Sequence, residues 1–545
     1  MGKRTKSELR TVPIQLSVHK YNNIRVLQGG AKQYWGISNI QPFFPSLEKM
    51  FKTDNLESSA DYGIRFKDEI TGIPSSNTIR TSSGAIVDVH KKVSMILSPF
   101  KVIRGTYGHL TGLPKLLSQA ALTQHKIQNP NNSSYVGSLI SAILSESDCV
   151  HFPKVYGVFN GISEHHRIDI SDDYEEVSDR PWFSANIGKT FDLKLSNSVS
   201  NSNHFTHTRK ARIEVQIGDD VILDGIQELD APSVEHTYVD ELKRVFDDEE
   251  ISDTESDSTS VSTSYLFDIK SCDCIDEEND DDTRMDEEMD DEPFAWAEFT
   301  NVPVQITVME KCEDTMYKLM MKHPEPEKHL AWTTQLMFGL AYAQRNFGLV
   351  HNDLHANNVM YVKTPKEYLY YTIAGTVYRV PTFGYIIKII DFERSIASFK
   401  IAGMKEPKFF MSDHYDVGEQ ASGQYNYDPY FIQKYPIIKP NPSFDLARFA
   451  TSMFWDLFPE GPTYDGYKSN PLFEMMKRWM RTEDNKSVLF GNKDATHDRY
   501  HGFHLYKAIV RFCKDAIPAK ELELVKSQYG ISNIPNGETI CVIDP

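Results

Sequence analysis

In the stretch LVHNDLHANNVMYV, residues 349–362, His351, Asp353 and Asn358 stand in the order H-x-D-x-x-x-x-N between an apolar lead-in and an apolar exit. A carboxylate in such a turn can accept or orient a hydroxyl proton, and an amide oxygen five residues on can ligate a hard cation. Asp391 ends the apolar run IIKIID and offers the charged oxygen that Mg²⁺ prefers. Phosphoryl transfer from ATP asks a protein mainly to position the nucleotide, neutralise its phosphates with metal and orient the attacking group. A base at Asp353 with metal ligands at Asn358 and Asp391 is such a set, with ATP and Mg²⁺ as its cofactors. Asp and Asn also bond their own turns in loops, so the motif alone equally fits a polar turn between buried segments.

The elements around the motif favour the chemical reading. GAIVDVHKKVSMIL (84–97) alternates and is β-branched, which predicts a strand, and SSYVGSLISAILSES (133–147) predicts a helix. FPKVYGVFNGI and RIEVQIG read as further strands, as does VPVQITVMEKCE (302–313). PEKHLAWTTQLMFGLAYAQRNFG predicts a long helix with Leu330, Met337, Leu340 and Ala341 on one stripe and Gly348 as its stop. YLYYTI and VYRV around AGT predict a hairpin, followed by a strand GYIIKIIDF that delivers Asp391. NPSFDLARFATSMFWDLF (441–458), opening on polar capping residues, and FHLYKAIVRFCKDAIP (503–518) predict helices. The expected fold class is α+β, a strand-rich half followed by a helical one.

Of 545 residues, the segment 247–292 holds 21 acidic residues against Lys270 and Arg284 and so carries the whole formal charge of −19. The rest is balanced, which gives no sign of a nucleic-acid partner. Residues 236–293 are poor in apolar side chains and dense in like charge, so disorder is expected there. Ser252, Thr254 and Ser256 would suit an acid-directed kinase, although a solvated spacer explains them as well. The six cysteines, including the lone C-x-C of Cys272 and Cys274, form neither a disulfide framework nor a zinc pattern, and a reducing compartment is expected. No apolar run spans a bilayer, the N-terminus has no signal core, and Lys6 breaks the myristoylation pattern, so no membrane partner is expected.

These residues resemble the protein-kinase family: HNDLHANN looks like the catalytic loop H-R-D-L-x-x-x-N and DFE like the metal-binding D-F-G. DVHKKVSMILSPFKVIRGTYG, VPVQITVMEKCEDT, YRVPTFGYIIKIIDFERSI and FHLYKAIVRFCKDAIP are together similar to serine/threonine protein kinases of large DNA viruses of the mimivirus and iridovirus kind, over most of residues 80–520, with VPTFG as the most specific element. The resemblance implies a two-lobed protein-kinase-like fold. Residues 1–60 would form an extension, 61–235 the β-rich N-lobe, 236–293 a disordered acidic insert in it, 294–312 the end of that lobe and the hinge, and 313–545 the helical C-lobe. It implies that Lys92 holds the nucleotide phosphates, and the alternation prefers Lys92 over its neighbour Lys91. It also implies that Met309 is the gatekeeper, that Glu310 and Cys312 offer backbone groups to adenine, and that Asp314 reaches the ribose or caps the next helix. Asp445 would hydrogen-bond the catalytic-loop backbone. The partners so implied are ATP and protein substrates, in the host cytoplasm or in the virion; nothing sets an oligomeric state.

The sequence departs from the family pattern at several points. No G-x-G-x-x-G precedes Lys92, and Glu146, near the end of its helix, is a candidate for the helix glutamate that pairs with it. Asn352 replaces the H-R-D arginine, which removes the usual partner of a phosphorylated activation loop and implies a constitutively competent enzyme. Glu393 replaces the D-F-G glycine, which should make a flip of that segment harder. His355 stands where serine/threonine kinases carry a lysine, and A-P-E is absent. Two other readings stay open: a choline- or ethanolamine-type kinase, whose H-N-D-x-x-x-x-N and I-D-F-E also match, and a pseudokinase scaffold. Against the first, the next F-D pair arrives only at Asp445.

Overall fold

A computed structural model describes residues 16–51, 60–108, 112–117, 126–147, 149–196, 294–401, 404–491, 499–500 and 502–543. The acidic segment, with Ser252, Thr254, Ser256, Cys272 and Cys274, lies outside the described residues, as do the expected strand at 212–218 and residues 1–15. The chain is α+β. Among the described residues no helix is long and apolar enough to cross a membrane.

The largest sheet is antiparallel, with strands in the order Ile37–Gln41, Val155–Asp169, Ala295–Glu310, Ile86–Met95, Thr78–Thr81 and Ile70–Gly72, and with Asp192–Leu195 also paired to Ala295–Glu310. Alternation along Ala295–Glu310 decides what each face holds. Val304, Ile306 and Val308 enter a core with Ile79, Val89 and Phe159. Thr307 turns to the other face, where its hydroxyl lies 2.8 Å from that of Ser138 on the helix Ser133–Ser145. In the register of the neighbouring strand Lys92 opposes Thr307 and Lys91 opposes Val308, so the two lysines fall on opposite faces. Lys91 is buried on its side, its ammonium 5.6 Å from the Trp35 ring.

The second half is built on the helix Pro326–Phe347, which begins with proline and stops at Gly348 in the left-handed region, φ 56°. Its burial is wider than the apolar stripe read from sequence, because Trp332, Thr333, Thr334 and Gln335 are also enclosed. Trp332 donates from Nε1 to the carbonyl of Thr382, 2.9 Å away, and Thr382 itself donates to Lys366 O at 2.5 Å, which explains the buried threonine of VPTFG. Small sheets lie among the helices of the second half, and they contain the hairpin and the strand expected there. The hairpin Tyr368–Ile373 and Thr376–Pro381 turns at Ala374 and Gly375, φ 48° and 72°, as a two-residue hairpin turn requires, and it is flanked by Ile540–Val542 and Gly530–Ile531. A three-stranded sheet joins Asp314–Thr315, Val359–Lys363 and Tyr385–Ile389.

Gly339 lets the long helix approach that sheet, for a Cβ there would lie 2.9 Å from His151 Cβ and 3.1 Å from Ile389 Cδ1. Overpacking of this kind costs about 1–3 kcal/mol and outweighs the helix propensity gained on leaving glycine. Gly339→Val is therefore expected to lower the denaturant midpoint at unchanged m-value, read by urea unfolding.

Candidate active site

The three-stranded sheet is the scaffold of the site. Val359 pairs with Ile389, so Asn358, just before one strand, and Asp391, just after the other, meet at the same end, joined by the hydrogen bond from Ile390 N–H to Asn358 O, 3.1 Å. Asp314 opens the third strand, opposite Tyr361. His351 ties the two motif segments together: its Nδ1 accepts from Asp353 N–H at 3.3 Å and its Nε2 donates to Ile390 O at 2.7 Å.

Asp445, wholly buried in the first turn of the helix Phe444–Leu457, accepts the N–H groups of His351 and Asn352, each at 3.0 Å. These bonds hold a turn in which Asn352 adopts φ 67°. Asn352 is buried; its amide donates to Val350 O and Arg394 O, both 3.1 Å away, and accepts from the Tyr425 hydroxyl at 2.5 Å. The loop is nevertheless not without a cation, because the Arg394 guanidinium lies 3.6 Å from Asp353 Oδ1. The Tyr506 hydroxyl, from the helix Gly502–Phe512, donates to the same oxygen at 2.7 Å. Burial would raise the Asp353 carboxyl, but the charges of Arg394 and His355 and the Tyr506 hydrogen bond together hold it well below the usual carboxylate range.

Lys92 Nζ reaches Asp391 Oδ1 at 2.6 Å and Glu393 Oε1 at 3.0 Å. Burial would push Asp391 up, and the Lys92 ammonium brings it below its ordinary value. Asp391 itself has φ 65°, so the left-handed backbone sits at the aspartate and not at Glu393. The Glu393 side chain is bonded to Lys92 at 3.0 Å and to the Ser94 hydroxyl at 2.5 Å. Glu146 does not reach Lys92; it sits at the helix C-cap, 4.0 Å from Lys67 Nζ.

Asn358 spends its amide N–H on Asp353 O, 2.9 Å, which leaves its Oδ1 as the atom it can offer a cation. Among the described residues no group of three or more His, Cys, Asp or Glu could hold a metal. Asp391 and Asn358 stand together at one end of the small sheet, a carboxylate and an amide oxygen, the donor types that hard cations take. Met309 and Thr307 line a cavity together with Lys92 and Asp391. The Glu310 side chain pairs with buried Lys388 at 2.9 Å and its N–H donates to Lys154 O, so only its carbonyl is left to offer a ligand. Cys312 is half-buried, and burial pushes its thiol up to about 12. Asp314 accepts from Thr315 N–H, and it is the Thr315 hydroxyl that caps the helix Met316–Lys322.

Three residues at the site were not read from sequence: Glu393 as a partner of Lys92, Arg394 and Tyr506. Arg394 directly follows DFE and adjacency alone could have flagged it; Tyr506, 153 positions from Asp353, has no local signal. No family model matches the chain, and no curated protein gives a significant match.

Two outcomes are expected. Asp445→Ala orphans two buried N–H groups and should cost about 2–6 kcal/mol, one to three for each, in chemical denaturation. A depressed carboxyl contributes stability that is complete above its unfolded value of about 4 and is lost as pH falls toward its folded value. Unfolding free energy should therefore drop below about pH 4, and less steeply in Asp353→Asn.

Proposed function

We propose that the chain is an ATP-dependent phosphotransferase with a two-lobed, protein-kinase-like architecture, acting on protein hydroxyls of the serine/threonine class. In this reading the large sheet with the helix Ser133–Ser145 is the N-lobe and residues 313–545 are the C-lobe. The observation that carries it is the Lys92–Asp391 contact of 2.6 Å across 299 positions of sequence, made at the end of the sheet that also brings Asn358 and the turn of Asp353 together. A lysine aimed at a metal-ligand pair beside a carboxylate base is the minimum set for nucleotide phosphates and an attacking hydroxyl.

Each residue then has one task. Lys92 holds phosphate oxygens; Asp391 and Asn358 ligate Mg²⁺, which neutralises phosphate charge when bound. Asp353 orients the acceptor hydroxyl and accepts its proton late, since a carboxyl depressed by Arg394 and His355 is a weak base. Tyr506 fixes one oxygen of Asp353 and leaves the other for the acceptor. The resemblance to kinases of large DNA viruses supports a protein acceptor, as does the 54-residue span between Asp391 and Asp445, room for a peptide-docking region.

The test is transfer from labelled Mg·ATP to generic proteins in one reaction and to choline, ethanolamine and aminoglycosides in another. Label is expected in protein, reduced by roughly 10²–10⁴ in Asp353→Asn; label on the small molecules would move the assignment to the choline-kinase type, and nucleotide binding without transfer to a scaffold. Tyr506→Phe should lower kcat several-fold at unchanged KM for ATP, because it loosens the base and leaves the nucleotide contacts in place.

A further inference from the structure

Lys92 has two carboxylate partners, and only one of them is needed for a cation. We propose that Glu393 is the residue that positions Lys92 for the nucleotide phosphates, supplying from the motif segment the carboxylate that the neighbouring helix lacks. The inference rests on the phosphotransferase reading and deepens it.

The helix Ser133–Ser145 lines the cavity beside Lys92 with Gly137, Ser138 and Ser141, none of which carries charge. Gly137 is the point of closest approach. A Cβ there would lie 2.7 Å from Glu393 Cγ and 3.1 Å from its Cα and N, so the helix gives up a side chain at the place where Glu393 enters. Glu393 is held from the strand side as well, by Lys92 at 3.0 Å and by the Ser94 hydroxyl at 2.5 Å on the same oxygen. Ser94 lies two residues from Lys92 on the strand Ile86–Met95, hence on the same face. Glu146, the carboxylate the helix does carry, is engaged near Lys67 at the helix end. Glu393 is thus fixed by strand and helix together, whereas Asp391 meets Lys92 from the end of the small sheet.

Two readouts test this in the full-length protein, one of them without nucleotide. The first is the rate of Lys92 acylation by a water-soluble N-hydroxysuccinimide ester, followed by peptide mass spectrometry. Loss of a carboxylate partner at 3.0 Å frees the amine to move and react, and Glu393→Gln is expected to speed labelling of Lys92 by roughly tenfold. The second is Mg·ATP affinity in Lys92→Met, Glu393→Gln and the double variant. Glu393→Gln should weaken binding by roughly tenfold, and the double variant should bind no more weakly than Lys92→Met, because Glu393 acts through the lysine. Acylation at the wild-type rate, or losses that multiply, would overturn the proposal. If Glu393→Gln does not fold, Ser94→Ala replaces it, with changes of about two- to threefold in the same directions; unchanged values there would count equally against it. Wild-type protein that binds no Mg·ATP would overturn the phosphotransferase reading and this inference together, whereas wild-type affinity in Glu393→Gln would overturn the inference alone.

Discussion

The ammonium of Lys92 between Asp391 and Glu393 is the contact on which the site depends. It joins a strand of the large sheet to the end of a strand in the small one. Partly buried ion pairs recover little net stability, because desolvation offsets the Coulomb gain. Its consequence is geometric and electrostatic. It fixes where the sheet's lysine lies relative to Asn358 and Asp353, and it leaves two carboxylates facing one ammonium, a local surplus of negative charge. Asp353 is balanced separately, by Arg394 and the Tyr506 hydroxyl, so its charge does not draw on Lys92.

Several packing details are arranged around that contact. Strand alternation sends Lys92 to the helix face and Lys91 to the Trp35 side. Gly137 admits Glu393, and Asp391 and Asn352 occupy left-handed backbone that short polar residues tolerate better than most. Asp445 then pins the Asn352 turn through two backbone N–H groups, so the strained residue is held by hydrogen bonds at the same place.

Much of this was legible in the sequence wherever the signal is local. The period-2 run around Lys92 marked both its strand and the face of its lysine, and Gly348 marked the stop of the long helix. The hairpin at Ala374 and Gly375 followed from turn chemistry. Asp445 could be placed from its position in the resemblance, but the cap of its helix could not: Ser443 makes no side-chain cap bond, and Asn441 accepts the Ser443 N–H. What escaped depends on long-range pairing. Ile540–Val542 is three residues long and pairs in parallel with Tyr368–Ile373, some 170 positions earlier, with no pattern of its own. Tyr506 reads as one more aromatic on an amphipathic helix, and Glu393 reads as a lost glycine until Gly137 is seen beside it.

The segment between Asp391 and Asp445 reaches the helix Ser133–Ser145. Asp413 accepts the N–H of Ser133, the first residue of the helix that flanks Lys92, at 2.9 Å, and its carboxylate pairs with Lys126 at 2.6 Å. Glu419 joins Lys126 and Lys101 at 3.3 and 2.7 Å. Asp413 thus stands at the N-terminus of that helix, where a carboxylate is favourable, with the half-buried Lys126 beside it. Asp413 ties the segment to the same helix whose Gly137 receives Glu393. Asp413 and Glu393, the latter a partner of Lys92, therefore meet the same helix at its first turn and at Gly137.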